Sequence, residues 1–74
     1  MNRVGRNIKH MRKSRALSLD DVAKRAGISK QGLWQIEEGK SSPTLVTLEK
    51  IARAFYVPVS ELVSEDQEGK ISAV

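Results

Sequence analysis

The sequence contains no cysteine and one histidine, which leaves no disulfide framework and no cluster of thiolate or imidazole ligands for a metal. It also lacks a Gly-rich phosphate loop and any metal-ligand spacing, so we expect no enzyme, no cofactor and no small-molecule ligand. His10 lies between Lys9 and Met11, and a solvated imidazole is its expected state. Apolar residues never run to the 18 or so that a membrane helix needs. The opening MNRVGRNIKHMRK has none of the hydrophobic stretch of a secretory signal, and the expected setting is the cytoplasm.

What is present fits one small soluble domain. Seventy-four residues, 39% hydrophobic and 30% charged, supply one core and exclude a second. A chain this short buries only about 60% of its unfolded surface. Without disulfides or a metal, association with a second copy is the expected supplement. The net charge of +4 is unevenly spread: residues 1–40 carry ten Lys/Arg against four Asp/Glu, the remainder three against five. The basic half is the one suited to a polyanion, although a solvated helix surface accounts for the same charge.

From Asn2 to about Arg15, the residues Val4, Ile8 and Met11 recur at spacings of four and three, one stripe of an amphipathic helix that Gly5 weakens in its first turn. Ser18-Leu19-Asp20-Asp21 reads as a capping box that opens a second helix at about Leu19. Leu19, Val22, Ala23 and Ala26 share one face of it, and Gly27 is its left-handed stop. Ser29 then caps a third helix running to about Glu38 and closed by Gly39. After Lys40-Ser41-Ser42-Pro43, Thr44 caps a fourth, with Leu45, Leu48, Ile51, Ala52 and Phe55 on its buried face and Pro58 as its barrier. Val59, Leu62 and Val63 make a short fifth helix. Residues 64–74 are polar, acidic and without period, and we expect a disordered tail. The expected fold is all-α, a compact five-helix bundle over residues 1–63.

Only Gly27, Ile28 and Ser29 separate the second helix from the third. Two short helices joined so tightly, the second polar on its outer face, describe a helix-turn-helix, in which the second helix enters the major groove of DNA. Leu33 and Ile36 mark the core side of the third helix, with Ile28 as an anchor in the turn. Lys30, Gln31, Trp34 and Gln35 then fall on the opposite face, near its N-terminal end. A glutamine amide can grip adenine at N6 and N7, and a lysine can donate to guanine O6 and N7. Any exposed helix face is polar, so it is the helix-turn-helix setting that makes these residues a reading head.

The stretch from about Ile8 to Val63 resembles the Cro and phage-repressor type of helix-turn-helix domain, the Xre-like family of regulators. The resemblance is carried by Ile8, Met11 and Arg12 before Ala16-Leu17-Ser18, then by Asp21-Val22-Ala23 and Ala26-Gly27-Ile28-Ser29. It continues through Leu33, Ile36-Glu37 and Gly39 to Pro43, Leu48, Ile51-Ala52, Ala54, Val59 and Leu62. It implies a five-helix bundle that binds double-stranded operator DNA as a twofold homodimer, with positions 30, 31, 34 and 35 reading bases. It also implies an ion pair between Arg12 and Glu37 that ties the reading helix to the first helix and leaves the guanidinium near a phosphate. Two departures stand out. Leu19 sits where many members have a phosphate-binding glutamine, and Glu38 sits where a neutral or basic residue is common. Phosphate anchoring then falls to Arg12, Ser18, Ser29, Lys40, Ser41, Ser42 and Thr44.

Trp34 is the chain's only tryptophan, and a step of one residue from Leu33 turns it about 100° away from the core. We expect its ring at the DNA surface, against a thymine methyl or a sugar, rather than lying over the second helix. Pro58, Val59, Leu62 and Val63 leave more apolar surface than one small bundle needs, so the twofold contact is expected there. Two other readings stay open: a module for protein partners such as an antitoxin, and the DNA-binding domain of a longer sensor protein.

Overall fold

Three hydroxyl side chains set where the middle helices begin. Ser18 Oγ accepts from the Asp21 N–H at 3.0 Å while Asp21 Oδ2 accepts from the Ser18 N–H at 2.9 Å, a complete capping box. Ser29 Oγ accepts from the Gly32 N–H at 2.9 Å, and Thr44 Oγ1 accepts from the Thr47 N–H at 3.2 Å. The computed structural model describes residues 3–64 and, among these, five helices and no strand. They are α1 (Arg3–Ser14), α2 (Leu19–Ala26), α3 (Lys30–Glu37), α4 (Leu45–Phe55) and α5 (Ser60–Val63). The tail expected to be disordered lies, from residue 65 on, outside the described residues.

The first four helices end alike. A residue with positive φ follows each, namely Ala16 (55°), Gly27 (73°), Gly39 (76°) and Tyr56 (60°). The next N–H reaches back five residues: Leu17 to the Arg12 carbonyl at 3.1 Å, Ile28 to Ala23 at 3.0 Å, Lys40 to Gln35 at 2.8 Å and Val57 to Ala52 at 3.0 Å. This closure satisfies carbonyls that a helix end would otherwise leave unpaired, and it turns the side chain after the left-handed residue back onto the helix. Leu17, Ile28 and Val57 accordingly pack, half-buried, against the core. Lys40 is the exception in kind.

Ile8, Val22, Leu33, Ile51, Phe55 and Leu62 are fully buried, so every helix contributes to one core. Each such side chain is worth about 1.5–3 kcal/mol relative to exposure. α2 packs on α4 and α3, while α1 packs on both α3 and α5. Asn7 fastens the last of these contacts, its Nδ2 donating to the Leu62 carbonyl at 2.9 Å and the Ser64 carbonyl at 3.1 Å.

Several expectations need correction. Leu62 cannot form a contact between copies, because it is 0% exposed: the single residue that plugs α5 into the bundle has no surface left. Val59 precedes α5 and leans half-buried on the core. Leu45, expected on the buried face of α4, is 64% exposed at the first position of that helix, and Ala54, near its other end, is buried instead. α4 stops at the left-handed Tyr56, two residues before Pro58. Gly5 is buried where α1 meets α3, and a Cβ there would overlap the Ile36 carbonyl oxygen. Its missing side chain permits a close approach of two helices.

Candidate nucleic-acid interface

The third helix is braced along its inner side. Arg12 Nε donates to Glu37 Oε2 at 2.8 Å and Nη2 to Glu37 Oε1 at 3.0 Å, a bidentate pair, while Nη1 donates to the Leu17 carbonyl at 3.0 Å. The Glu37 side chain is 1% exposed and that of Arg12 11%. The hydrogen bonds that Arg12 donates to the Glu37 carboxylate raise the Arg12 pKa above its ordinary value, against the opposing effect of burial. Only an edge of the guanidinium is left to meet a phosphate. Glu38 turns toward α1, where Lys9 Nζ lies 3.0 Å from its Oε2. Both partners are substantially exposed, so this bridge is worth about 0–1 kcal/mol. Its effect is electrostatic: the carboxylate that stood out in the sequence is neutralised away from the opposite face.

That opposite face carries Lys30, Gln31 and Trp34, all exposed, with Gln35 half-buried beside them, while Leu33 and Ile36 point into the core. Trp34 is 39% exposed. Its ring is met by the ammonium of Lys40, 5.8 Å from the ring centroid, a cation–π contact worth about 0.5–1 kcal/mol at an exposed site. The ring therefore neither enters the core nor stands wholly free. The structure brings two groups together, Lys40 and Trp34, that the sequence reading assigned to separate duties.

The other anchoring candidates sit at helix starts and in the α3–α4 loop. Ser18 and Ser29 use their oxygens as caps, and each hydroxyl hydrogen can still be donated. Thr44 donates its hydroxyl to Thr47 Oγ1 at 3.1 Å, so that proton is already engaged. Ser41 and Ser42 are exposed, and the Ser41 N–H is held to the Gln35 carbonyl at 3.3 Å. Beside this loop runs an open groove of about 710 Å³ lined by Val4, Arg6, Glu38, Gly39, Ser42, Pro43 and Leu48. No group of three or more potential metal ligands occurs among the described residues. No described helix is long and apolar enough to cross a membrane.

Two braces had no sequence signal. Arg15 Nη1 donates to the Phe55 carbonyl, and the guanidinium lies 5.4 Å from the Phe55 ring centroid. Asn7 spans 55 residues of chain to reach Leu62. Both bonds end on backbone carbonyls, which every residue possesses, so no pattern of residue types marks them.

A helix-turn-helix family model matches residues 8–62, the span from the α1 core residue to the α5 plug. Over 60 residues the chain is 45% identical to the HTH-type transcriptional regulator SutR of Escherichia coli K12, covering 81% of this chain and 34% of SutR. It is 38% identical over 60 residues to the cryptic phage CTXphi transcriptional repressor RstR of Vibrio cholerae, covering 81% of this chain and 54% of RstR. The chain thus spans about a third and about half of these regulators. Among solved structures, the N-terminal DNA binding domain of SinR from Bacillus subtilis is similar with a TM-score of 0.81 and 33% identity, covering 89% of this chain and 97% of that one. Fold, caps, turn and matched span agree, and the chain belongs to the helix-turn-helix family, of the Cro and phage-repressor type.

Proposed function

We propose that residues 1–63 form a cytoplasmic, sequence-specific double-stranded DNA-binding domain that regulates transcription, as a repressor. α3 reads the major groove. The observation that carries this reading is the division of α3 into two faces, one locked to α1 through Glu37 and Glu38 and the other presenting Lys30, Gln31, Trp34 and Gln35. Anchoring on phosphates falls to Ser18, Ser29, Lys40, Ser41 and Ser42, with the start of α4 at Thr44 and the outer edge of Arg12 in support. Two copies meet through Pro58, Val59 and the exposed Val63, to which the 86% exposed Tyr56 on the same connection adds apolar surface. Such a pair sets two reading helices about 34 Å apart on an inverted repeat.

The test is selection of bound fragments from random duplex DNA, followed by titration of the selected duplex at several salt concentrations. We expect an inverted repeat. Affinity should fall roughly a thousandfold or more between about 50 and 200 mM salt if a dimer makes about six or more phosphate contacts. No enriched sequence together with a flat salt dependence would overturn the DNA reading in favour of a protein-docking module.

A further inference from the structure

At each left-handed helix stop the N–H of the following residue is held to a carbonyl of the helix just ended, which fixes where that residue's side chain starts. After α1, α2 and α4 that residue is Leu17, Ile28 or Val57, each packed against the core. After α3 it is Lys40, and what it meets is the Trp34 ring on the outer face. Its backbone is pinned by its own N–H on the Gln35 carbonyl at 2.8 Å, by the Gly39 N–H on Ile36 at 3.1 Å and by the left-handed Gly39. The root of the lysine side chain is thereby fixed to the carbonyl of Gln35, the residue next to Trp34. The contact follows from how α3 ends, whereas a lysine on a free loop would meet the ring only by chance.

From this geometry we propose that Lys40 is a positioning residue for Trp34: its ammonium holds the indole in one orientation on the reading face, and base discrimination depends on it. The proposal rests on the DNA reading above and adds a division of labour within it. A lysine that serves only as a phosphate anchor weakens binding to all duplexes alike and lowers the salt slope by about 1 when removed. A lysine that orients a base-contacting ring acts on the difference between the right duplex and a random one. The contact strength usual for an exposed cation–π pair sets that difference at roughly two- to fivefold.

The experiment compares wild type, Lys40→Met, Lys40→Arg, Trp34→Ala and the Trp34→Ala/Lys40→Met double variant. Each is titrated against the selected duplex and a scrambled one at two salt concentrations. Emission from Trp34, the only tryptophan, is recorded in the DNA-free proteins. We expect Lys40→Met to change that emission and to cut the ratio of specific to non-specific affinity about two- to fivefold. Lys40→Arg, which can also stack on the ring, should restore the ratio, and Lys40→Met should leave it unchanged in the Trp34→Ala background. Equal losses on both duplexes with a smaller salt slope would overturn the positioning role and leave Lys40 a phosphate anchor. A wild type that binds both duplexes equally would overturn the DNA reading itself, and this role with it.

Discussion

Gly5 and Ile36 meet where α1 crosses the end of α3, so closely that a methyl carbon on the glycine would overlap the Ile36 carbonyl oxygen and stand 2.9 Å from that of Glu37. Gly5→Ala would gain up to about 1 kcal/mol of helix propensity. It would also force two backbones apart at the point where α1 holds the reading helix, an overpacking that costs about 1–3 kcal/mol. The cost should exceed the gain. Denaturant midpoints check this, and an unchanged or raised midpoint would show that the two helices can separate freely.

Glu37→Ala leaves the Arg12 guanidinium without its bidentate partner in a site that water barely reaches. We expect a loss of about 2–4 kcal/mol, discounted from the fully buried case because an edge of Arg12 remains exposed. Glu38→Ala, which opens only the exposed bridge to Lys9, should cost under about 1 kcal/mol. Equal losses in urea melts of the two variants would refute the distinction.

Ala16 and Tyr56 occupy left-handed positions that Gly27 and Gly39 fill at the other two helix stops. A residue with a Cβ is strained there by about 1–2 kcal/mol, part of which glycine returns as unfolded-state entropy. Ala16→Gly should raise stability by about 0.5–1 kcal/mol, visible as a higher melting temperature. A lower one would mean the alanine methyl makes a contact that outweighs its strain.

Hydrogen bonds from the Ser18 backbone and then from its side chain lower the pKa of Asp21. A carboxylate whose folded-state pKa is lowered contributes its stability in full above the unfolded-state value and loses it as pH falls through the folded-state value. Stability of the wild type should therefore decline more steeply than that of Asp21→Asn between about pH 5 and about pH 2. Parallel curves from denaturant titrations at each pH would show that the capping carboxylate contributes nothing.

Where the residue types themselves force the backbone, the fold was legible. Ser18, Ser29 and Thr44 mark helix starts because their hydroxyls satisfy orphan N–H groups, and Gly27 and Gly39 mark stops because other residues resist positive φ. The same reasoning missed the strained stops at Ala16 and Tyr56, where nothing in the residue type announces the conformation. Apolar spacing identified Ile51, Ala52 and Phe55 as core, yet it gave Leu45 the same status, since periodicity cannot see which turns of a helix its neighbours cover. In the candidate site, helical phase set Trp34 apart from Leu33 and Ile36. The meeting of Trp34 with Lys40 depends on the turn after α3, which helical phase does not describe.

Asn7 lies on the same helix as Gly5, Lys9 and Arg12, and while those three engage α3, Asn7 holds the carbonyls at the end of α5. α1 is thus a strut with the reading helix on one side and the end of α5 on the other. In a twofold pair joined near α5, that strut would act as a gauge: the separation of the two reading helices would be set within each copy by the contacts α1 makes on its two sides. Adding or deleting a single base pair between half-sites would then have to be accommodated by bending or twisting the DNA, and operators would be sorted by the stiffness of base pairs the protein never touches.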